Sequence, residues 1–191
     1  MALSQATLTQ SLLNVFGSRA PGFVGFPNSY AAAAHNFANA YDTYAKNAVD
    51  SAGDVLLTAS PAGFEAALTQ GLYQSQSPAV CANLFGQAFA QYWATATFAL
   101  LHLPAYGSGG NGFFSVKTSS KVFGVSTGAL VTALTQEFGR HDLSITDSQK
   151  AQSLSAILHA AIAQVTVSQI GLDTTPPPTG PLPIVNLSPP A

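Results

Sequence analysis

The chain has 191 residues, a net charge of −2 and only 7% charged residues, against about 25% in an ordinary soluble domain. That length suits one domain with a real core, and the few scattered Lys and Arg exclude an electrostatic grip on nucleic acid. A single cysteine, Cys81, excludes an intrachain disulfide framework and fits a reducing compartment.

Met1-Ala2-Leu3-Ser4-Gln5 lacks the basic segment and continuous apolar run of a secretory signal. Residues 3–16 place Leu3, Leu8, Leu12, Val15 and Phe16 near one face and predict a first helix, ended by Gly17. Residues 17–28, with Gly17, Pro21, Gly22, Gly25 and Pro27, read as a connector whose Phe23 and Phe26 tuck onto the core. Residues 29–50 form the clearest amphipathic helix: Tyr30, Ala34, Phe37, Tyr41, Tyr44 and Ala48 follow spacings of three and four. Ser60-Pro61 opens a short helix to about Tyr73, with Phe64, Ala67, Leu68 and Leu72 inward.

The stretch 77–103 is expected to be the central, most buried helix. Ser77 caps it, Pro78 suits its first position, and no proline follows until Pro104. Asn83, Gln87, Gln91 and Thr95 make one narrow polar stripe on an otherwise apolar cylinder. The length permits a membrane span, but the central amides and the absence of flanking Lys or Arg favour a buried helix. Residues 104–112 then read as an irregular loop, and 113–124 as a short hairpin or an extended arm. Ser126 is expected to cap a helix to about Phe138. Thr146-Asp147-Ser148-Gln149 is a capping box that opens a last helix over 147–170.

From Asp173 the composition changes. Seven of the chain's twelve prolines fall in 173–191, so this stretch reads as an extended, polyproline-like arm. Leu182, Ile184, Val185 and Leu187 interrupt the prolines and are the expected anchors on a neighbouring subunit. The predicted organisation is therefore an all-α domain, 1–172, of five or six helices, followed by an arm, 173–191.

No constellation meets the requirements of a known chemistry. Gly107-Ser108-Gly109-Gly110-Asn111-Gly112 matches the G-x-G-x-x-G pattern, but a predicted helix precedes it and no acid follows until Glu137. Gly107, Gly109 and Gly112 are read instead as part of a projecting, partner-contacting loop. His35, His102, His141 and His159 form no i, i+4 pair. Cys81 sits in a predicted first helical turn, where a dipole can lower a thiol pKa, but a small buried hydrophobe is the commoner role. Asp50 with Asp54, or Glu65 with Glu137, are the available acid–base pairs, and in sequence they look like solvated charges. The expectation is a non-enzyme with no cofactor and no metal.

An Ala/Ser/Thr/Gln-rich helical body, a Gly-rich loop at 107–112 and a Pro/apolar arm at 173–191 together resemble the small structural subunits of tailed-bacteriophage virions. The head–tail connector (adaptor, neck) proteins are the most similar of these. The resemblance implies a homo-oligomeric ring contacting copies of itself and other virion proteins, made in the host cytoplasm, with no direct contact to nucleic acid or membrane. Competing readings are a baseplate or capsid-associated protein, an enzyme or ligand carrier with a pocket around Phe37, Tyr41, Tyr44, Tyr92 and Trp93, and a membrane-active helical protein.

Overall fold

The computed structural model describes residues 3–17, 22, 25, 27–74, 77–103, 116–140, 144–172 and 183–188. Among the described residues, six helices are present: α1 (Gln5–Phe16), α2 (Tyr30–Ala45), α3 (Pro61–Gln74), α4 (Pro78–Ala94), α5 (Gly128–Phe138) and α6 (Asp147–Ile162). Five strands join them in one sheet: β1 (Leu56–Thr58), β2 (Thr97–Phe98), β3 (Val116–Val125), β4 (Val165–Leu172) and β5 (Pro183–Ser188). Their order in the sheet is β1-β2-β3-β4-β5, and every neighbouring pair is antiparallel.

The all-α expectation is thus wrong; the fold is mixed α/β. Three segments carry the error. The central helix stops at Ala94 rather than Leu103, because Thr95 caps it and the next residues turn into β2. The last helix stops at Ile162, and the β-branched run Val165-Thr166-Val167 begins β4 instead of continuing it. Of residues 113–124, read as a hairpin or an arm, those from Val116 onward belong to one ten-residue strand, Val116–Val125, in the middle of the sheet.

The helix starts follow the sequence closely. Ser4, Ser29 and Ser77 each accept a hydrogen bond from a backbone N–H in the first turn. The Thr146–Gln149 capping box is complete in both directions. Thr127, not Ser126, is the N-cap of α5, and its side chain makes no capping bond.

The core lies where α2, α3 and α4 meet. Tyr41, Tyr44, Phe64, Phe89, Tyr92 and Trp93 are all buried and packed ring on ring. Trp93 Nε1 donates to the Tyr41 hydroxyl at 2.8 Å, and the Tyr92 hydroxyl donates to Asp42 at 2.9 Å. Burial pushes the phenol pKa of both tyrosines upward, so both hydroxyls stay neutral. Asn83, Gln87, Gln91 and Thr95 form the exposed face of α4, as the stripe predicts. α4 also packs against α5 and β3, which ties the helices to the sheet.

Candidate functional site

A buried cluster of charges sits where the α2–β1 turn meets β3. Val49 and Val55 form an isolated bridge, and the chain between them makes a tight turn. Within it the Asp50 N–H donates to the Asp54 carbonyl at 2.8 Å, and Gly53 has φ +93°. Asp50 Oδ1 accepts from the backbone N–H of Ala52 at 2.9 Å and of Asp54 at 3.1 Å. Both aspartates thus point from one short turn toward β3. A Cβ at Gly53 would meet no neighbour, so Gly53→Ala should cost about 1–2 kcal/mol from backbone strain alone. Urea unfolding of that variant measures the cost.

From β3, Lys117 enters the same space. Its side chain has no solvent exposure, nor do those of Asp50 and Asp54. Lys117 Nζ donates to Asp50 Oδ2 and, at 2.7 Å, to Asp54 Oδ2. Ser120 Oγ donates to Asp50 Oδ2 at 2.7 Å. Lys117 and Ser120 are three residues apart, so regular alternation would put them on opposite faces. A register shift in the pairing of β3 with β4, between Lys117 and Ser119, brings both inward.

A third segment closes the cluster. Asp54 accepts from the backbone N–H of Leu101 and His102, each at 3.0 Å, and His102 Nδ1 lies 2.7 Å from Asp54 Oδ1. Burial raises the pKa of Asp54, but the hydrogen bonds from Lys117 and His102 outweigh it and hold the carboxyl below its ordinary value. A depressed folded pKa contributes stability that is complete above about pH 4 and is lost as pH falls through the folded value. Acid titration of the urea midpoint should therefore show a loss below about pH 4 that is smaller in Asp54→Asn. Beside the cluster, Gln169 is buried; its Nε2 donates to Ser51 Oγ, while Oε1 has no partner among the described residues.

The other predicted candidates among the described residues lie apart. Gly107, Gly109, Gly112, Leu182 and His141 fall outside the described residues. Ile184, Val185 and Leu187 lie on β5, paired with Gly171, Ile170 and Ser168 of β4. This part of the C-terminal arm is thus an edge strand of the chain's own sheet, with Pro183 at its first position, where a missing N–H is tolerated. Glu65 pairs with His35 on the surface, and Glu137 with Arg140 and Ser153. His159 Nδ1 is 2.6 Å from the Tyr44 hydroxyl. No group of three or more His, Cys, Asp or Glu among the described residues could hold a metal ion.

Two apolar features complete the survey. A cavity of about 370 Å³ is lined by Phe16, Phe37, Leu68, Cys81, Phe85 and Phe138, among others. It is not the predicted pocket: of the five aromatics expected there only Phe37 lines it, and Tyr41, Tyr44, Tyr92 and Trp93 are buried core. The second feature is an exposed apolar rim. Leu57 is 63% and Leu101 81% exposed, with Val55, Leu100 and Leu103 beside them in sequence. The Ala99 N–H donates to the Val55 carbonyl, so the two segments lie side by side at the β1 edge.

No family model, curated protein or solved structure matches the chain. The sequence signal for the cluster was Lys117 itself, the first charge after Glu65. Nothing in sequence marked Asp50 and Asp54 as its partners.

Proposed function

We propose that this chain is a non-enzymatic structural subunit of a larger assembly, and that the assembly is a tailed-phage virion, with the subunit at the head–tail connector or neck. The apolar rim at the β1 edge carries the reading. Val55 and Leu57 expose large side chains at β1, which has no further strand beyond it among the described residues, and Leu100, Leu101 and Leu103 expose theirs in the segment after β2 that runs beside Val55. Natural sheets guard such edges with charge, proline or a covering element, and contiguous exposed apolar surface marks contact sites. A chain with 7% charged residues has little repulsion to keep such a surface free. The virion assignment rests on the composition and the Gly-rich and Pro-rich segments. β5 lies at the opposite edge of the sheet, and in the proposed assembly Ile184, Val185 and Leu187 meet a neighbour from there.

The test is the native mass of the purified chain and of Leu57→Asp/Leu101→Asp. The expected result is a discrete homo-oligomer that the double variant, still folded by circular dichroism, converts to monomer. A wild-type chain that stays monomeric at every concentration sinks the proposal.

A second reading has one observation in its favour, the cavity lined by Phe37 and Phe85. Its apolar lining suits a small uncharged hydrocarbon or aromatic ligand, and a rise in melting temperature with such compounds would favour it. No helix among the described residues is long and apolar enough to cross a membrane.

A further inference from the structure

We propose that Lys117 and Asp50 condense spontaneously to an intramolecular isopeptide bond, with Asp54 relaying the protons, so that the α2–β1 turn and β3 are joined covalently. The inference stands apart from the assembly reading and rests on the buried cluster alone.

The parts an amide-forming site needs are present. The nucleophile, Lys117 Nζ, touches the carboxyl it would attack, and both side chains are shut off from water. Asp50 Oδ1 already sits on two backbone N–H groups, those of Ala52 and Asp54. Such a pair of donors is what stabilises the oxyanion of a tetrahedral intermediate. The other oxygen, Oδ2, is the leaving oxygen and accepts from Ser120 Oγ. Asp54 Oδ2, 2.7 Å from Nζ, is placed to take a proton from the amine.

The step balances without any other reactant. An ammonium and a carboxylate become a secondary amide and one water. The Nζ–Cγ bond forms and the Cγ–Oδ2 bond breaks. Of the three protons on Nζ one remains on the amide, and two pass through Asp54 to Oδ2, which departs as water. Burial favours this direction, since a charged pair held out of water is replaced by a neutral group. Asp54 takes up and passes on each proton in turn and ends ionised, held by the backbone N–H groups of Leu101 and His102 and by His102 Nδ1 at 2.7 Å. The bond would close the chain across a separation of 67 residues, enclosing β1, α3, α4 and β2.

The experiment is the intact mass of the full chain under denaturing conditions, followed by tryptic mapping. The expected mass is one water below that of the sequence, with no cleavage after Lys117 and fragment ions that place an amide between Lys117 and Asp50. Lys117→Arg should show the full mass of its own sequence. A wild-type chain at full mass, cleaved after Lys117, overturns the proposal. A water loss that persists in Lys117→Arg, or an amide mapped to Asp54 instead of Asp50, overturns it equally. Because the wild-type chain is read unfolded, the result does not depend on how any variant folds.

Discussion

Lys117→Met should destabilise the protein by about 3–5 kcal/mol, the usual loss when one partner of a buried ionic cluster is removed. The Lys117 ammonium faces two carboxylates that have no solvent exposure. Without it, Asp50 and Asp54 confront each other across one short turn. Asp50 keeps the N–H groups of Ala52 and Asp54 and the Ser120 hydroxyl. Asp54 keeps Leu101 and His102. These are dipoles and one exposed imidazole, and they do not cancel two negative charges in a dry site. The direction is the same whether charge or an amide holds the Lys117 side chain. Urea unfolding is the measurement. Adding Asp50→Asn and Asp54→Asn to Lys117→Met should recover much of the loss, because the repelling charges are gone. A single variant as stable as wild type would show that the cluster is open to water.

Trp93→Ala should be comparably damaging, at about 3–5 kcal/mol. Trp93 has no solvent exposure and packs against Phe89 and Tyr92. Its truncation leaves a cavity in the aromatic core and strands the Tyr41 hydroxyl that accepts from Nε1. Trp93→Phe separates the two effects: it keeps most of the packing, loses the N–H donor, and should cost about 1–3 kcal/mol. Chemical denaturation of both variants gives the split. A tolerated alanine would mean that the α2–α4 contact is not the centre of the core.

The two variants bear on different parts of the sequence, and those parts were legible to different degrees. Trp93 was expected in the core because the spacing of Phe85, Phe89, Tyr92 and Trp93 between polar Asn83, Gln87 and Gln91 fixes which face of a helix turns inward. The caps at Ser77 and Thr146 were equally plain, since a side-chain oxygen bonding the first turn is a local event. Lys117 was not legible. Strand β3 buries Lys117 and Ser120 and exposes Val116 and Phe123, the reverse of the alternation that marks a strand.

What the sequence determined by itself was therefore local: helices in these six places, the caps at Ser77 and Thr146, and the inward face of α4. The tertiary structure decided where α4 and α6 stop and that a sheet exists at all. A helix end depends on whether the next residues find a better partner, and Thr97-Phe98 and 165–172 find theirs in strands distant in sequence. It also decided the cluster. Asp50 and Asp54 read as surface charges until β3, bulged between Lys117 and Ser119, brings a cation into the space they enclose. Pairing across a sheet is set by register between separate segments, and hydrophobic periodicity within one segment carries no record of it.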